Sequence, residues 1–348
     1  MSAPEEFYDL PCAHAGPAGS ARLKSTPEDF VVREWLGFEA DGEGEHWLLR
    51  VRKRDANTMW VAKQLAKLAK VRPVDVGFAG LKDRDAVAEQ AFTVPVRSAI
   101  ESWIGVSGEQ FEVIAAERHR RKLKRGALRG NEFSIVLRDF EGDARALEAR
   151  LQTIARAGVP NYFGPQRFGR AGSNVQKAIA WFTTGEEPAG AQRGFALSAA
   201  RSVIFNAVLA ERVREGTWNR LQPGDVANLD GSGSVFPVER LDETLAARCE
   251  ALDLHPTGPL WGAPGRTMPG ELTAQLERRV ADSLPVLANG LERAGLEAER
   301  RALRARVEEL QWRIEGSEVH LTFRLGRGAF ATAVLKEAVS LREETGEV

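Results

Sequence analysis

The stretch Phe78-Ala79-Gly80-Leu81-Lys82-Asp83-Arg84-Asp85-Ala86 sets an apolar approach (Val74, Val76, Phe78) against a glycine and a cluster of opposite charges. Alternating apolar residues predict a short buried strand, since side chains two apart share one face. Gly80 can take a positive φ at little cost, so the chain is expected to turn there and present Lys82 and Asp83 at the strand end. A carboxylate flanked by Lys82 and Arg84 is expected to stay ionised, because nearby positive charge favours the charged form. Such an acid suits nucleophilic or general-base work. Taken alone, the local pattern favours a plainer reading, in which Asp83 caps a helical turn running from Arg84 to Gln90.

With 348 residues the chain predicts about two domains, each able to bury a core. Hydrophobic residues make up 43% and charged residues 28%, an ordinary balance for a globular protein. Met1 to Arg22 has no basic segment leading into an apolar run, so no secretory signal is expected. No uninterrupted run of about 18 apolar residues predicts a membrane span. Cys12 and Cys249 are the only cysteines, too few for a disulfide framework or a zinc site, and the five histidines form no HxxxH pair. The expectation is a cytoplasmic protein without a structural metal.

The net charge of −1 hides a segregated distribution. Residues 118–138 hold eight Lys/Arg and one acid, and residues 149–210 hold seven against two, whereas residues 28–45 hold seven acids and one Arg. Such segregation can build a positive face on a neutral protein and attract phosphates. Solvated arginine faces with partners elsewhere are the competing account.

In order, Arg22 to Glu34 predicts a loop running into a strand, and His46 to Arg52 a second strand, paired as a hairpin through Asp41-Gly42-Glu43-Gly44. Asp55 to Val71 predicts a helix capped by Asp55 or Asn57. Val74 to Phe78, Phe92 to Val96, Phe111 to Arg118 and Phe133 to Arg138 predict strands. The basic segment from Arg120 to Arg129 reads as a loop, and Asp143 to Ala157 as an amphipathic helix. Pro160 to Gly172 (PNYFGPQRFGRAG) is a rigid, cationic loop whose aromatics and arginines could stack on bases or pin two domains together. Leu197 to Arg214 is a strong helix, Gly224 to Phe236 a hairpin, His255 to Pro269 a Pro/Gly-rich loop. Glu271 to Asn289 and Leu291 to Glu309 predict two further helices, Val319 to Leu325 a strand, and residues 332–339 a short helix. No GxxxxGK[ST] loop and no dinucleotide fingerprint occurs.

Six pieces in this order, LKSTPEDFVVRE, FAGLKDRDAV with Gln90, RRKLKRGALRGNEF, GVPNYFGPQRFG, LSAARSVIFN and GAFATAVL, resemble the TruD family of tRNA pseudouridine synthases. The resemblance runs from Lys24 to Val339. It implies an α+β fold: a mixed, mostly antiparallel sheet forming a catalytic domain with the permuted pseudouridine synthase fold. An inserted α/β TRUD domain would occupy residues 158–305, leaving 1–157 plus 306–348 as a discontinuous catalytic domain. It implies Asp83 as the catalytic aspartate, with Lys24 as the cation that pairs with it. Phe30, Asn131, Phe133 and Phe330 would line the substrate pocket. Arg121, Lys122, Lys124, Arg125, Arg167 and Arg170 are candidate RNA contacts. Three positions depart from the family pattern: Ala88 stands for a threonine, Gly326 for a proline and Ala329 for a serine.

The implied reaction detaches a specific uracil, uridine-13 of transfer RNA, from its ribose, turns it and rejoins it through C5. It needs no cofactor, metal or nucleotide. The target must be drawn out of the stack, at a cost of a few kcal/mol. Phe30, Phe133 and Phe330 offer stacking surface at about 1–3 kcal/mol per base. Asp83 would act either as a nucleophile at sugar or base, or as a base at the sugar. The expected partner is transfer RNA, with no membrane association and a monomeric chain.

Overall fold

The computed structural model describes residues 10–82, 87–97, 100 and 102–342. These divide into two compact units, one of residues 19–144, 308–328 and 340–348, the other of residues 1–18, 145–307 and 329–339. That partition groups 145–157 and 329–339 with the second unit, where the sequence reading placed them with the sheet.

The first unit is built on β1 (Gly19–Leu23), β2 (Phe30–Trp35), β3 (His46–Lys53), β4 (Gly77–Phe78), β5 (Val87–Pro95), β6 (Ser107–Gly108), β7 (Phe111–His119) and β8 (Gly130–Gly142), with helix α1 (Thr58–Ala69) between β3 and β4. Among the described residues the sheet has eleven strands, and its main path runs Val307–Glu315, Glu318–Gly326, β8, β2, β5, β3, β7, β6. β2 runs parallel to β5, and β1 parallel to Ser340–Arg342. β8 is antiparallel to both β2 and Glu318–Gly326, and β3 to both β5 and β7. The sheet is therefore mixed and mostly antiparallel, as expected.

The expected hairpin of β2 with β3 does not form, because β5 lies between them. Ala88 to Val94 are all buried, and a strand covered on both faces takes a central place with a neighbour on each edge. The approach to Gly80 is also shorter than predicted. Pro73 opens a 3-10 turn that leaves Val74 65% exposed, and only Gly77 and Phe78 pair with β5. Gly77 is required there, since a Cβ would lie 2.4 Å from Thr93 Oγ1 and 2.6 Å from the Leu123 carbonyl oxygen. Asn57, not Asp55, caps α1 by accepting a hydrogen bond from the Trp60 amide at 2.8 Å. Val61 and Leu65 of α1 pack with Leu49, Val51, Phe92 and Val94 of the sheet to form the core of this unit.

The second unit packs α3 (Ser173–Thr184) and α4 (Ala191–Arg214) into one core with Tyr162, Phe163 and Phe168, and includes a four-stranded antiparallel sheet. Its preceding helix, α2 (Ala144–Ala157), buries Leu147, Leu151 and Ile154. α4 has the length and hydropathy of a membrane span, yet 67% of that window is buried inside the protein. Two predictions fail here. Leu254–Leu260 is a strand and not a loop, because burying Leu254 to Pro259 outweighs the cost of two prolines in the ladder. The helix expected over Leu291 to Glu309 is replaced by strands at Glu299–Ala302, Arg304–Ala305 and Val307–Glu315. Arg300, read as part of a solvated face, instead forms a buried ion pair with Glu277 at 2.7 Å. Pro285 divides the other predicted helix into Glu271–Asp282 and Pro285–Arg293.

A buried carboxylate anchors the entry to β2. Asp29 Oδ2 accepts from the Thr26 amide at 2.9 Å, and Arg138 of β8 donates to both Asp29 oxygens at 2.8–3.0 Å. Burial alone would raise this carboxyl, but the Arg138 and Thr26 hydrogen bonds outweigh it and hold Asp29 below its ordinary value. A depressed acid contributes stability above its unfolded pKa, and that contribution disappears as pH falls through the folded value. Asp29→Asn is therefore expected to lower the urea midpoint at neutral pH. The gap from wild type should close below about pH 4, which denaturation curves at stepped pH will measure.

Candidate active site

Residues 80–82 are held by a closed ring of buried polar groups. Lys82 Nζ pairs with Glu34 Oε1 at 2.7 Å, with the two side chains 8% and 1% exposed. Gln90 Nε2 donates to the Gly80 carbonyl at 2.7 Å and to Glu34 Oε1 at 3.2 Å. Thr58 Oγ1 donates to Gln90 Oε1 and accepts from the Lys82 amide, each at 2.9 Å, while the Ala91 amide donates to Glu34 Oε2 at 3.0 Å. Every polar atom named has a partner, as buried polar groups require. Asp83, with Arg84 and Asp85, lies outside the described residues. The chain reaches that segment from Lys82, pinned by Thr58, and leaves it at Val87, paired with Val31.

Two expectations about this stretch are corrected. Lys82 spends its charge on Glu34, so it is part of the scaffold before the aspartate. Gly80 does not take a positive φ. A Cβ there would come within 3.3 Å of Glu34 Oε1 and 3.5 Å of Lys82 Nζ, so the chain passes close against the ion pair at this point. The predicted helical turn from Arg84 to Gln90 is excluded at its end, since Val87 to Gln90 are strand.

The register Val32 to Phe133 and Glu34 to Asn131 puts Phe30, Glu34, Asn131 and Phe133 on one face of β2 and β8. Phe133 is buried, stacked on Phe323 at 5.3 Å, and meets Phe30 edge-on at 6.1 Å. Phe30 keeps part of its surface and carries Lys24 Nζ 4.7 Å from its ring centroid, a cation–π distance. Lys24 itself adopts φ 63°, a left-handed conformation costly for a non-glycine residue, and has no carboxylate partner among the described residues. Asn131 Oδ1 is a buried acceptor without a hydrogen-bond partner among the described residues. Such an atom costs stability unless something else supplies a donor.

Alongside this face, the basic loop is strapped to the chain approaching Gly80. The Gly126 amide donates to the Ala79 carbonyl at 2.7 Å, the Leu123 amide donates to Thr93 Oγ1 at 2.9 Å, and the Arg125 guanidinium lies 5.1 Å from the Phe78 ring. Arg121, Lys122, Lys124 and Arg125 are all exposed; the Lys122 ammonium donates to the Val74 carbonyl. The opposite face of the sheet carries paired charges. There Glu309, Arg324, Glu132, Arg33, Glu89 and Arg52 alternate in a ladder of ion pairs at 2.6–3.2 Å.

Phe330, Arg167 and Arg170 belong to the second unit. Phe330 tilts against Phe163 at 6.1 Å, and Arg167 lies over Phe163 at 4.9 Å and donates to Ser198 Oγ at 2.9 Å. Arg170 is exposed in a short 3-10 turn. Sequence reasoning missed Glu34 and Thr58. The legible signal was an acid at an inward position of FVVREW, two residues after Val32.

The family model for tRNA pseudouridine synthase D (TruD) matches residues 12–181 and 191–338. A tRNA pseudouridine synthase D of Methylococcus capsulatus is 47% identical over 336 residues, covering 96% of this chain and 95% of its own. One from Nitrosococcus oceani is 46% identical, covering 95% and 94%. A crystal structure from Methanosarcina mazei, described as a tRNA pseudouridine synthase D (TruD), superposes with TM-score 0.74 at 21% identity, over 97% of this chain and 98% of that one, and supports the fold.

Removing one partner of a buried ion pair leaves an uncompensated charge and costs about 3–5 kcal/mol, whereas apolar replacement of both costs much less. Glu34→Leu and Lys82→Met are each expected to destabilise by that amount, and the double variant by less than either. Chemical denaturation of the four proteins as a double-mutant cycle measures the coupling.

Proposed function

Because the chain belongs to the TruD family of tRNA pseudouridine synthases, we propose that it isomerises uridine-13 of transfer RNA to pseudouridine, with Asp83 as the essential acid. In that reaction the N1–C1′ bond breaks, a C5–C1′ bond forms, the C5 proton passes to water and N1 gains a proton. Lys24, whose ammonium has no carboxylate among the described residues, pairs with Asp83 and keeps it ionised. The flipped base stacks on the open part of the Phe30 ring, backed by Phe133. A single chain does this in the cytoplasm, without membrane, metal or nucleotide cofactor.

The observation that carries this reading is the buried Asn131 Oδ1, which has no hydrogen-bond partner among the described residues, on the same sheet face as Phe30. Uracil presents an N3–H donor beside a carbonyl acceptor, and a carboxamide complements that edge with one acceptor and one donor. The exposed cations from Arg121 to Arg125, with Arg167 and Arg170, supply phosphate contacts that position the RNA without reading its sequence.

The protein is expected to release tritium from 5-tritiated uridine in unmodified tRNA. Asp83→Asn should abolish release while tRNA binding in a filter assay stays within a few-fold of wild type; normal turnover by that variant would overturn the assignment. Asn131→Ala should lower kcat/KM by about 10- to 100-fold, the worth of one or two lost hydrogen bonds at about 1–3 kcal/mol, with no loss of thermal stability.

A further inference from the structure

The second unit contains a cavity of about 410 Å³ whose walls include Phe163, Arg167, Gly194, Ser198, Arg201 and Arg301, and no acidic residue lines it. Three guanidiniums converge on it from three elements. Arg167 comes from the Pro165–Phe168 turn, Arg201 from α4 and Arg301 from the Glu299–Ala302 strand. Arg167 donates to Ser198 Oγ, Arg301 donates to Asn161 Oδ1 at 2.7 Å, and Arg201 donates to the Trp261 carbonyl at 2.9 Å. Glu299, 67% exposed, lies 3.7 Å from Arg201. Phe163 holds two of the cations in place, with Arg301 4.1 Å and Arg167 4.9 Å from its centroid.

Bringing like charges together in a partly desolvated cavity is unfavourable. Burial pushes all three guanidiniums down from their ordinary value, and the Arg167 charge adds to the effect on Arg301. An oxyanion relieves that repulsion, and guanidinium forks suit the bidentate recognition of phosphate. Phe163 also touches Phe330.

We propose that Arg167, Arg201 and Arg301 form a phosphate subsite that receives a backbone phosphodiester of the bound transfer RNA. The subsite rests on the tRNA reading above. It assigns α4, read from sequence as a core helix, a second role on the face that bears Gly194, Ser198 and Arg201.

Gly194 provides the test, because a Cβ there meets nothing within 4 Å and replacing a glycine inside a helix favours the helix. Gly194→Glu is expected to weaken tRNA binding about tenfold or more, whereas Gly194→Lys should bind at least as tightly as wild type. Arg167→Gln should weaken binding and lower the slope of log K against log salt by about one. Circular dichroism melts confirm that each variant is folded. Equal weakening by Glu and Lys, or wild-type affinity and slope in Gly194→Glu and Arg167→Gln, overturns the subsite. If inorganic phosphate raises the melting temperature of wild type but not of Arg167→Gln, while these variants bind tRNA normally, the site takes a free ion and the RNA assignment fails. Failure of wild-type protein to bind tRNA at moderate salt overturns the functional reading itself, and the subsite with it.

Discussion

The buried pair of Glu34 and Lys82 is the constraint on which the candidate site depends. It joins β2 to the segment before Asp83, and it is stable in the interior only because Gln90, Thr58 and three backbone groups complete the hydrogen bonds around it. Ion pairs removed from water recover their desolvation cost only with such completion. The ring accounts for two otherwise unrelated residue choices: a glutamine in the middle of a buried strand and a threonine at the first position of α1.

β2 is where the two chemistries of the sheet separate. Its alternate residues Phe30, Val32 and Glu34 face the site, while Arg33 joins the ladder of alternating charges on the other side. The ladder neutralises itself across neighbouring strands, so it braces the sheet without creating a field. The site face does the reverse, leaving a cation on an aromatic ring and an amide oxygen without a donor among the described residues. Unsatisfied groups of that kind are tolerated where a ligand completes them.

Short-range chemistry made much of this legible. The Asn57 cap, the apolar spacing of α1 and α2, the glycine- and proline-rich run from Pro160 to Gly172 and the long apolar stripe of α4 all read locally and were found close to where they were expected. The failures share one cause. The supposed β2–β3 hairpin is split by β5, and the Glu/Arg-rich stretch near Arg300 is strand because Glu277 and the 254–260 strand wait for it. Helical charge spacing is a weak preference, and long-range pairing with a buried partner overrides it.

For the site, sequence by itself determined which residue types stand in which order: the GLKD turn, the lysine at 24, the phenylalanines at 30, 133 and 330, and the cationic segments. Those follow from identity and spacing, and they sufficed for the family. Only the tertiary structure decided what each charge does. Lys82 is consumed by Glu34, Lys24 rests on Phe30, Asn131 is left with a bare acceptor, and Arg201 and Arg301 meet Arg167 from strands and helices distant in sequence. The reason is physical: the energy of a charge is set by burial and by neighbours within a few ångströms, and the fold brings those neighbours from far along the chain. The opening stretch thus reads as a polar scaffold held by Glu34, with Asp83 as the next residue along the chain.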